Sequence, residues 1–405
     1  MKILEINKFY FPKGGADKHF LDVVFLLESV GHEVAVFSMK HPKNKKSKWE
    51  KYFVSLVGYT ADYSWAQKIK GIFRMFFSLE AKRKINKLLD DFNPDIVHIH
   101  NVYHQLSPMI LFEIKKRGIP IVMTVHDYKL VSPNYDLYYN GKIYDRCLNG
   151  KYYQCFLDKC FKNSYFQSLV AMLEAYWHDF FGTYRKNIDL YICPSEFARN
   201  ILIKRGISAD KIKIIPHFIA GKEKGCAGEE KENSPREKYA IYAGRISRNK
   251  GVENLISVFG EVFGMKLYLA GEIEGGFVFP ENEKIVRLGF LNQIMLKKYI
   301  RNAEVVVSGS KLPETFGLVA LESISQGKPF VGFNAGAYGE IIQNGRNGFI
   351  VNSQKEMIDI LNKIAGGKCV FDENKIQRES LEKYSKGKYI SQFENILYNL
   401  VERRN

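Results

Sequence analysis

The sequence predicts an α/β protein with two doubly wound parallel sheets, and three observations support this. Short apolar, β-branched segments bounded by Gly, Pro, Asn or Asp alternate with longer helical patterns along nearly the whole chain, which is typical of βαβ units. The alternation runs in two series, separated by a stretch rich in charge and glycine. The length of 405 residues predicts two or three domains rather than one.

The two series of strands define the expected domains. The first series covers residues 2–6, 34–38, 96–100, 121–126, 190–194 and 212–216. The second covers residues 239–244, 266–271, 284–289, 304–309 and 330–333. We therefore expect an N-terminal domain over 1–217, a linker over 218–238 and a C-terminal domain over 239–383. A final helix over 384–405 follows, and its position allows it to cross back onto the first domain.

Composition excludes several classes of protein. Six cysteines in 405 residues are too few for a disulfide scaffold. The first residues lack the continuous apolar core of a signal peptide, and no run of about 18 uncharged apolar residues occurs, so we expect a cytoplasmic protein without a transmembrane span.

The formal net charge of +16 favours an anionic partner. Residues 1–217 hold 33 basic and 21 acidic side chains, so most of the positive charge lies in the first half. Lysines between 40 and 51 and the basic, aromatic stretch 68–84 have the pattern of a helix at a membrane surface. The alternative is a solvated lysine loop followed by a helix that packs on its own domain. Peripheral attachment to the inner face of the plasma membrane is thus one of two open interpretations.

Two elements at strand ends have the chemistry of an anion site. Gly14 and Gly15 follow the first strand and precede a helix, whose first N–H groups are unpaired donors, although such a pair also serves simple turn geometry. Arg245 and Lys250 follow the first strand of the second domain, where two cations five residues apart can hold a diphosphate. Ligands of doubly wound domains bind outside the carboxyl ends of the strands, which favours the functional interpretation of the cations.

A pair of glutamates follows a later strand of the second domain. Glu314 lies in the predicted loop, and Glu322 lies eight residues later in a helix that shares only a loose face with it. Carboxylates accept hydrogen bonds from vicinal diols, as in sugars and ribose. The uncharged run between the two residues indicates a largely buried helix rather than a solvated one.

These motifs together resemble the retaining glycosyltransferases of family 4, which have two facing Rossmann-like domains around a deep cleft, the GT-B arrangement. The resemblance rests on AGRISRNKG at 243–251 and on ETFGLVALE at 314–322, which matches the family's E-x7-E element. It extends to the glycine pair, TVHD at 124–127, PSEF at 194–197, GFL at 289–291 and NGRNGF at 344–349.

The resemblance implies roles for individual residues. Arg245, Lys250 and the Gly15 backbone would bind the donor diphosphate. Glu314 and His126 would lie near the reacting sugar, and Glu322 would bind the ribose. The remaining donor contacts implied are Thr315, Phe316 and Gly317 near sugar and phosphate, and Gly289, Phe290 and Leu291 near the base. Gly14, Asn101 and His126 are the candidate acceptor contacts, whereas His98 and His100 either border the acceptor or pack inside the domain.

The implied reaction transfers a sugar with retention from a UDP- or GDP-type nucleotide sugar to a glycan acceptor, lipid-linked by expectation, in surface polysaccharide assembly. No D-x-D tripeptide occurs, so we expect no metal ion and no cofactor beyond this co-substrate. Front-side displacement is favoured over a covalent intermediate. The spacing of Cys147, Cys155 and Cys160 does not fit a zinc module, and free thiols are expected.

Other functions remain possible on the sequence alone. The acceptor could be a soluble sugar, a sugar phosphate or a protein. A non-catalytic nucleotide-sugar-binding partner is disfavoured because the set Arg245, Lys250, Glu314 and Glu322 is intact. Nucleic acid is disfavoured as a partner because no known recognition module is present.

Overall fold

The computed structural model of the protein describes residues 1–58, 64–219 and 237–403. The chain divides into two compact units. The first comprises Met1–Tyr139, Tyr144–Pro216 and Tyr389–Asn405, and the second comprises Asn140–Ile143 and His217–Lys388. Most of the predicted linker, residues 220–236, lies outside the described residues.

The first unit contains a six-stranded parallel sheet. The strands before Pro216 are β1 (Lys2–Ile6), β2 (Glu33–Phe37), β3 (Ile96–Ile99), β4 (Ile121–Thr124), β5 (Tyr138–Tyr139), β6 (Lys142–Ile143), β7 (Leu190–Cys193) and β8 (Ile212–Ile214). The sheet has the order β2-β1-β3-β4-β7-β8, and all residues of β3, β4 and β7 are buried, as expected for strands covered on both faces. The direction of winding reverses between β1 and β3, which opens a crevice at their carboxyl ends.

The second unit contains another six-stranded parallel sheet. Its strands are β9 (Tyr239–Ala243), β10 (Lys266–Ala270), β11 (Ile285–Gly289), β12 (Val305–Ser308), β13 (Phe330–Phe333) and β14 (Gly348–Val351). The order β11-β10-β9-β12-β13-β14 places the reversal between β9 and β12. Every strand that the sequence predicts overlaps an observed one, and β5, β6 and β14 are additional strands. The two sheets confirm the predicted α/β class with two Rossmann-like domains.

Fifteen α-helices cover these sheets or connect them in the described part of the chain. They are α1 (Gly15–Ser29), α2 (Trp65–Phe76), α3 (Leu79–Phe92), α4 (Tyr103–Leu106), α5 (Ile110–Lys115), α6 (Tyr153–Leu157), α7 (Tyr165–Phe181), α8 (Glu196–Lys204), α9 (Val252–Gly260), α10 (Gln293–Asn302), α11 (Leu318–Ser325), α12 (Tyr338–Ile341), α13 (Gln354–Ala365), α14 (Glu373–Lys383) and α15 (Lys386–Glu402). Within residues 1–58, 64–219 and 237–403, none of them combines the length and apolarity needed to cross a bilayer.

The basic, aromatic stretch 68–84 forms parts of two helices, α2 and α3, rather than the one helix that its spacing indicates. The backbone is extended at Phe77 and Ser78, and the Ser78 hydroxyl accepts a hydrogen bond from the Ala81 N–H at the start of α3. Arg74 at the end of α2 is buried and donates to Glu80 at 2.8 Å. Not all of the basic side chains in this stretch therefore face solvent.

The last helix packs on the first unit. Tyr389, Phe393 and Leu397 recur at every fourth residue of α15 and are buried. The Phe393 ring lies 4.8 Å from the His98 ring, centroid to centroid. The chain thus ends against the β1–β3 region of the first sheet.

Candidate active site

The loop after β9 carries the two predicted cations of the second unit. Arg245 is exposed, and its backbone carbonyl accepts a hydrogen bond from the Tyr242 hydroxyl at 2.7 Å. Burial raises the pKa of Tyr242, the nearby Glu314 carboxylate raises it further, and Arg245 lowers it. Arg245 and Glu314 therefore both lie near one buried tyrosine hydroxyl.

A contact between two glycines holds this loop against the loop after β12. Gly251 has φ +68°, and a Cβ atom built on it would lie 1.9 Å from the Gly309 carbonyl oxygen. A Cβ on Gly309 would in turn lie 2.1 Å from the Gly251 oxygen. Only glycine permits both the left-handed backbone and this approach. The segment that bears Lys250 is therefore pressed onto the end of β12.

Lys250 and Glu314 meet across these two loops. The Lys250 ammonium lies 2.7 Å from a Glu314 carboxylate oxygen, and both side chains are partly exposed. The Glu314 backbone is fixed from the other side, since its carbonyl accepts from the Ala337 N–H at 2.9 Å. A Cβ on Gly336 would lie 2.2 Å from the same carbonyl oxygen. The position of the carboxylate is thus determined by backbone packing on both sides.

The residues after Glu314 lead into α11. Gly317 precedes this helix with φ +100°, and a Cβ there would lie 2.6 Å from the Tyr338 ring. Phe316 is buried against His217, whereas Thr315 and Glu322 are partly exposed. Burial lowers the pKa of His217 to about 3, so this histidine is neutral at physiological pH. The start of α11 therefore lies at the crevice between β9 and β12.

The predicted base contacts lie at the end of β11. Gly289 ends the strand with φ +69°, and its carbonyl accepts from the Gly271 N–H at 2.8 Å. Phe290 is exposed, and Leu291 packs partly into the core of the second unit. Phe290 thus offers an aromatic surface at the same edge of the sheet as Arg245.

In the first unit, the glycine pair precedes α1 as predicted. Gly14 and Gly15 are exposed, and α1 begins at Gly15. The Asn7 side chain holds this loop in place. Its Nδ2 donates to the Asp17 carboxylate at 2.9 Å, and its Oδ1 accepts from the Asn101 backbone N–H at 3.2 Å. Asn7 thereby connects the ends of β1 and β3 with the first turn of α1.

A buried cluster of histidines lies beside this loop. His98 and His100 are fully buried with Glu5 between them, and Asn101 is buried as well. His126 is partly exposed and hydrogen-bonded to His100 at 2.8 Å. The nitrogen and oxygen atoms of Glu5, His98 and His100 lie within 4.8 Å of one another, close enough to share a metal ion. In this structure Glu5 contacts both rings at hydrogen-bond distance.

The structure therefore brings Arg245, Lys250 and Glu314 together within the second unit. It places Gly15 at the start of α1 and His126 two residues after β4, both in the first unit. Sequence reasoning missed Glu5 and Asn7, which are polar residues at the end of an otherwise apolar strand. That polarity at a strand end is the one signal by which they could have been found.

The prediction of free thiols is wrong for two of the three cysteines. Cys155 and Cys160 form a disulfide, and Cys147 is free and buried beside them. The turn after α6 brings the two cysteines together: the Cys160 N–H donates to the Cys155 carbonyl at 2.9 Å. Spacing alone does not reveal such a turn.

Comparison with known proteins agrees with this fold. The model of Glycosyltransferase Family 4 matches residues 13–220, and the model of Glycosyl transferases group 1 matches residues 228–386. The fold and the site define a glycosyltransferase of the GT-B class. The chain belongs to glycosyltransferase family 4.

Three relatives illustrate the range of similarity. An uncharacterised glycosyltransferase of Methanocaldococcus jannaschii is 34% identical over 161 residues, which are 35% of this chain and only 41% of that protein. An uncharacterised 42.6 kDa protein in the cps region of Klebsiella pneumoniae is 23% identical over 81% of this chain and 84% of its own length. The crystal structure of Anabaena HepE in complex with UDP-glucose superposes with a TM-score of 0.64 at 17% identity, covering 98% and 100% of the two chains.

Proposed function

We propose that this glycosyltransferase transfers a sugar, with retention and without a metal ion, from a nucleoside-diphosphate sugar to a glycan acceptor, lipid-linked, in the assembly of a cell-surface polysaccharide. The observation that carries the proposal is the paired Lys250 and Glu314 beside Arg245 at the winding reversal of the second sheet. A diphosphate and a sugar need a cation and a hydrogen-bond acceptor side by side, which this arrangement supplies.

In this proposal Arg245 and Lys250 bind the diphosphate and stabilise the charge that develops on it as it leaves. Glu314 accepts hydrogen bonds from sugar hydroxyls, and Glu322 accepts them from the ribose. The backbone from Thr315 to Gly317 borders the sugar and phosphate, and the segment 289–291 borders the base. On the first unit, Gly14 and Gly15 offer backbone N–H groups to the phosphate. Asn101 and His126 complete the proposed set, near the acceptor and the reacting sugar.

The proposed chemical step is a front-side displacement. The bond from the anomeric carbon to the phosphate oxygen breaks, and its electron pair remains on the phosphate. The acceptor oxygen forms the new bond on the same face, and its proton passes to the departing phosphate. Fixed cations can stabilise the leaving group in place of a divalent ion, which is the role proposed for Arg245 and Lys250.

Two relatives support the finer parts of the proposal. The Klebsiella relative comes from a cps region, which favours surface polysaccharide as the product class. The Anabaena relative was crystallised with UDP-glucose, which favours a uridine diphosphate sugar as donor. A GDP sugar is the alternative to be distinguished by experiment.

The direct test is transfer from a panel of UDP and GDP sugars to glycan acceptors with and without a lipid diphosphate, in the presence of EDTA. The proposal expects one donor to be used, an anomeric configuration that is unchanged by NMR, and loss of at least about 100-fold in kcat for Arg245→Ala. Arg248→Ala is the matched control, because Arg248 lies on the same loop but pairs with Glu253 at 2.9 Å. An inverted product, or a requirement for added metal, would contradict the proposal.

A second observation favours peripheral membrane attachment of the first unit. Helices α2 and α7 pack together, with the rings of Phe76 and Trp177 5.9 Å apart. Both helices expose large apolar side chains, namely Trp65, Ile69 and Phe73 on α2 and Phe166, Leu173 and Phe180 on α7. Exposed aromatic residues beside lysines on a strongly basic unit match the chemistry of an anionic bilayer surface.

Vesicle sedimentation tests this attachment. Vesicles of phosphatidylcholine with phosphatidylglycerol should sediment the protein. Pure phosphatidylcholine vesicles should not, and neither should the mixed vesicles in 0.5 M salt, which is roughly tenfold above a low-salt buffer. The double variant Phe73→Ser with Phe180→Ser should lose recovery. Phe263→Ser is the control, since Phe263 is equally exposed but lies in the second unit. Equal recovery of both variants would favour a soluble acceptor.

A further inference from the structure

A continuous hydrogen-bonded chain of five side chains runs through the first unit. In order, Thr124 Oγ1 lies 2.8 Å from His98 Nε2, and His98 Nδ1 lies 2.9 Å from one oxygen of Glu5. The other Glu5 oxygen lies 3.1 Å from His100 Nε2, and His100 Nδ1 lies 2.8 Å from His126 Nε2. This series of hydrogen bonds begins on β4, crosses β3 and β1, and ends at the partly exposed His126, two residues after the end of β4.

Strand register explains why these groups meet. Glu5 on β1 pairs with His98 on β3, so the two side chains lie on the same face of the sheet. His98 pairs with Val122 on β4, which puts Thr124, two residues later, on that face as well. Glu5, His98 and Thr124 are therefore held by the sheet itself, whereas His100 and His126 lie just beyond the ends of β3 and β4.

The chain is enclosed by apolar rings. Phe20 of α1 contacts the His100 ring edge-on at 5.1 Å, and Phe393 of α15 lies against His98. His19 and Tyr389, the other titratable groups that face the cluster from these helices, lie 3.5 Å apart. Hydrogen bonds in such a dry environment are strong, and an unmatched donor or acceptor is costly.

Matching donors to acceptors along the chain then determines where the protons lie. An ionised Glu5 has only acceptors, so His100 Nε2 must carry a hydrogen and donate it. In a neutral His100, Nδ1 is then an acceptor, and its partner His126 Nε2 must be the donor. His126 Nδ1 is left as the acceptor nitrogen of that ring. Burial raises the pKa of Glu5 above its ordinary value, and the charge and hydrogen bond of His98 only partly offset this. The geometry favours the ionised form, because each carboxylate oxygen lies within hydrogen-bond distance of a ring nitrogen, of His98 and of His100.

We propose that Glu5 is a positioning residue that acts through His100 to hold His126 in the tautomer with its hydrogen on Nε2. In that tautomer Nδ1 can accept a hydrogen bond from a sugar hydroxyl, a use that rests on the proposed transferase function. The tautomer itself does not rest on it, because the partner of one ring nitrogen determines the protonation of the other in any histidine. A protonated Glu5 would reverse every bond from Glu5 to His126 and put the hydrogen on His126 Nδ1.

The test is ¹⁵N NMR of the histidine rings in the full chain, with His126 assigned by its loss in His126→Gln. In the wild type at pH 8, we expect a neutral His126 ring with hydrogen on Nε2. Glu5→Met removes the acceptor and should populate the other tautomer. Thr124→Val, which alters the chain on the far side of Glu5, should leave the His126 signals unchanged.

Kinetics separate this role from a merely structural one. Glu5→Met should lower kcat by about tenfold or more and change the KM for the nucleotide sugar by less than about twofold. A wild-type His126 with hydrogen on Nδ1, or a bound metal ion that is lost from Glu5→Met, would overturn the proposal. The wild-type spectrum decides even where Glu5→Met fails to fold. An Nε2–H tautomer in a protein that transfers no sugar would leave the positioning role intact and contradict the proposed function alone.

Discussion

The ammonium of Lys250 lies 2.7 Å from a carboxylate oxygen of Glu314, and this ion pair joins the loops after β9 and β12 within the second unit. The two residues have different proposed ligands. A phosphate that binds Lys250 competes with the carboxylate for the ammonium, whereas a sugar hydroxyl donates to Glu314 without breaking the pair. The ion pair therefore weakens binding of a bare diphosphate and favours a ligand that contains both groups.

This relationship predicts opposite effects on two ligands. Glu314→Gln should leave the affinity for UDP unchanged or increase it by up to about fivefold, because removing one partly exposed carboxylate releases about 1 kcal/mol of competition. The additional affinity of UDP-glucose over UDP should disappear. Titration calorimetry with both ligands measures the difference. Glu253→Gln is the control, since Glu253 pairs with Arg248 on the same loop at 2.9 Å, and an equal loss of both affinities in Glu314→Gln would refute the assignment.

A second prediction concerns the glycine contact that places Lys250. Gly251→Ala should lower the free energy of unfolding by about 3 kcal/mol or more, because its Cβ would overlap the Gly309 carbonyl and no side-chain rotation can relieve this. Gly264→Ala is a matched control with the same φ of +68° and nothing within 4 Å of the added Cβ. It should cost only about 1 to 2 kcal/mol of left-handed strain. Urea unfolding distinguishes the two, and equal costs would mean that the overlap is relaxed at no expense.

The comparison of sequence and structure separates local from non-local information. Strands such as β12 were predictable because a short β-branched run is followed by glycine. The contact of Lys250 with Glu314 depends on β9 and β12 being neighbours in the sheet. The strand order cannot be predicted from the sequences of the strands. The role of Glu5 was not predicted, because a single acidic residue in a short strand forms no recurring pattern. The role becomes visible only in the structure, where His98 and His100 lie beside Glu5.

A helix-capping residue explains why the spacing of residues 68–84 is misleading. The aromatic and basic spacing of residues 68–84 continues across Ser78, so periodicity alone predicts one helix. The serine hydroxyl instead caps α3, and a single capping residue outweighs the pattern because it satisfies otherwise unpaired N–H groups.

A third prediction uses the pH dependence of this region. Glu80 is partly buried, which raises its pKa, but hydrogen bonds from Ser55 and the charges of Arg74 and Lys70 lower the pKa to about 2. A carboxyl whose pKa is lowered in the folded state stabilises the protein above its unfolded pKa of about 4.5, and this contribution disappears as the pH falls from 4.5 towards 2. With solvent screening, we expect about 2 kcal/mol.

Glu80→Gln should therefore be less stable than the wild type at pH 6, and the difference should shrink between pH 4.5 and 3. Urea midpoints at each pH measure it. Asp90→Asn is a suitable control, because Asp90 lies on α3 like Glu80. Its ion pair with Arg117, at 2.6 Å, is more exposed. A difference between wild type and Glu80→Gln that stays constant with pH would exclude the ionised Glu80 as its source.

The last prediction concerns the disulfide between Cys155 and Cys160, which closes a loop of six residues. Trypsin cleaves after Lys151, Lys159 and Lys162, so a non-reduced digest should contain residues 152–159 joined to residues 160–162. Closing so short a loop is worth about 2 kcal/mol, and a reducing agent should lower the melting temperature accordingly. The double variant Cys155→Ala with Cys160→Ala should melt lower and no longer respond to the reducing agent. Cys147→Ala serves as the control, because Cys147 is buried, burial raises its thiol pKa, and it lies outside the disulfide. Alkylation of both Cys155 and Cys160 without prior reduction would show that the thiols are free in solution.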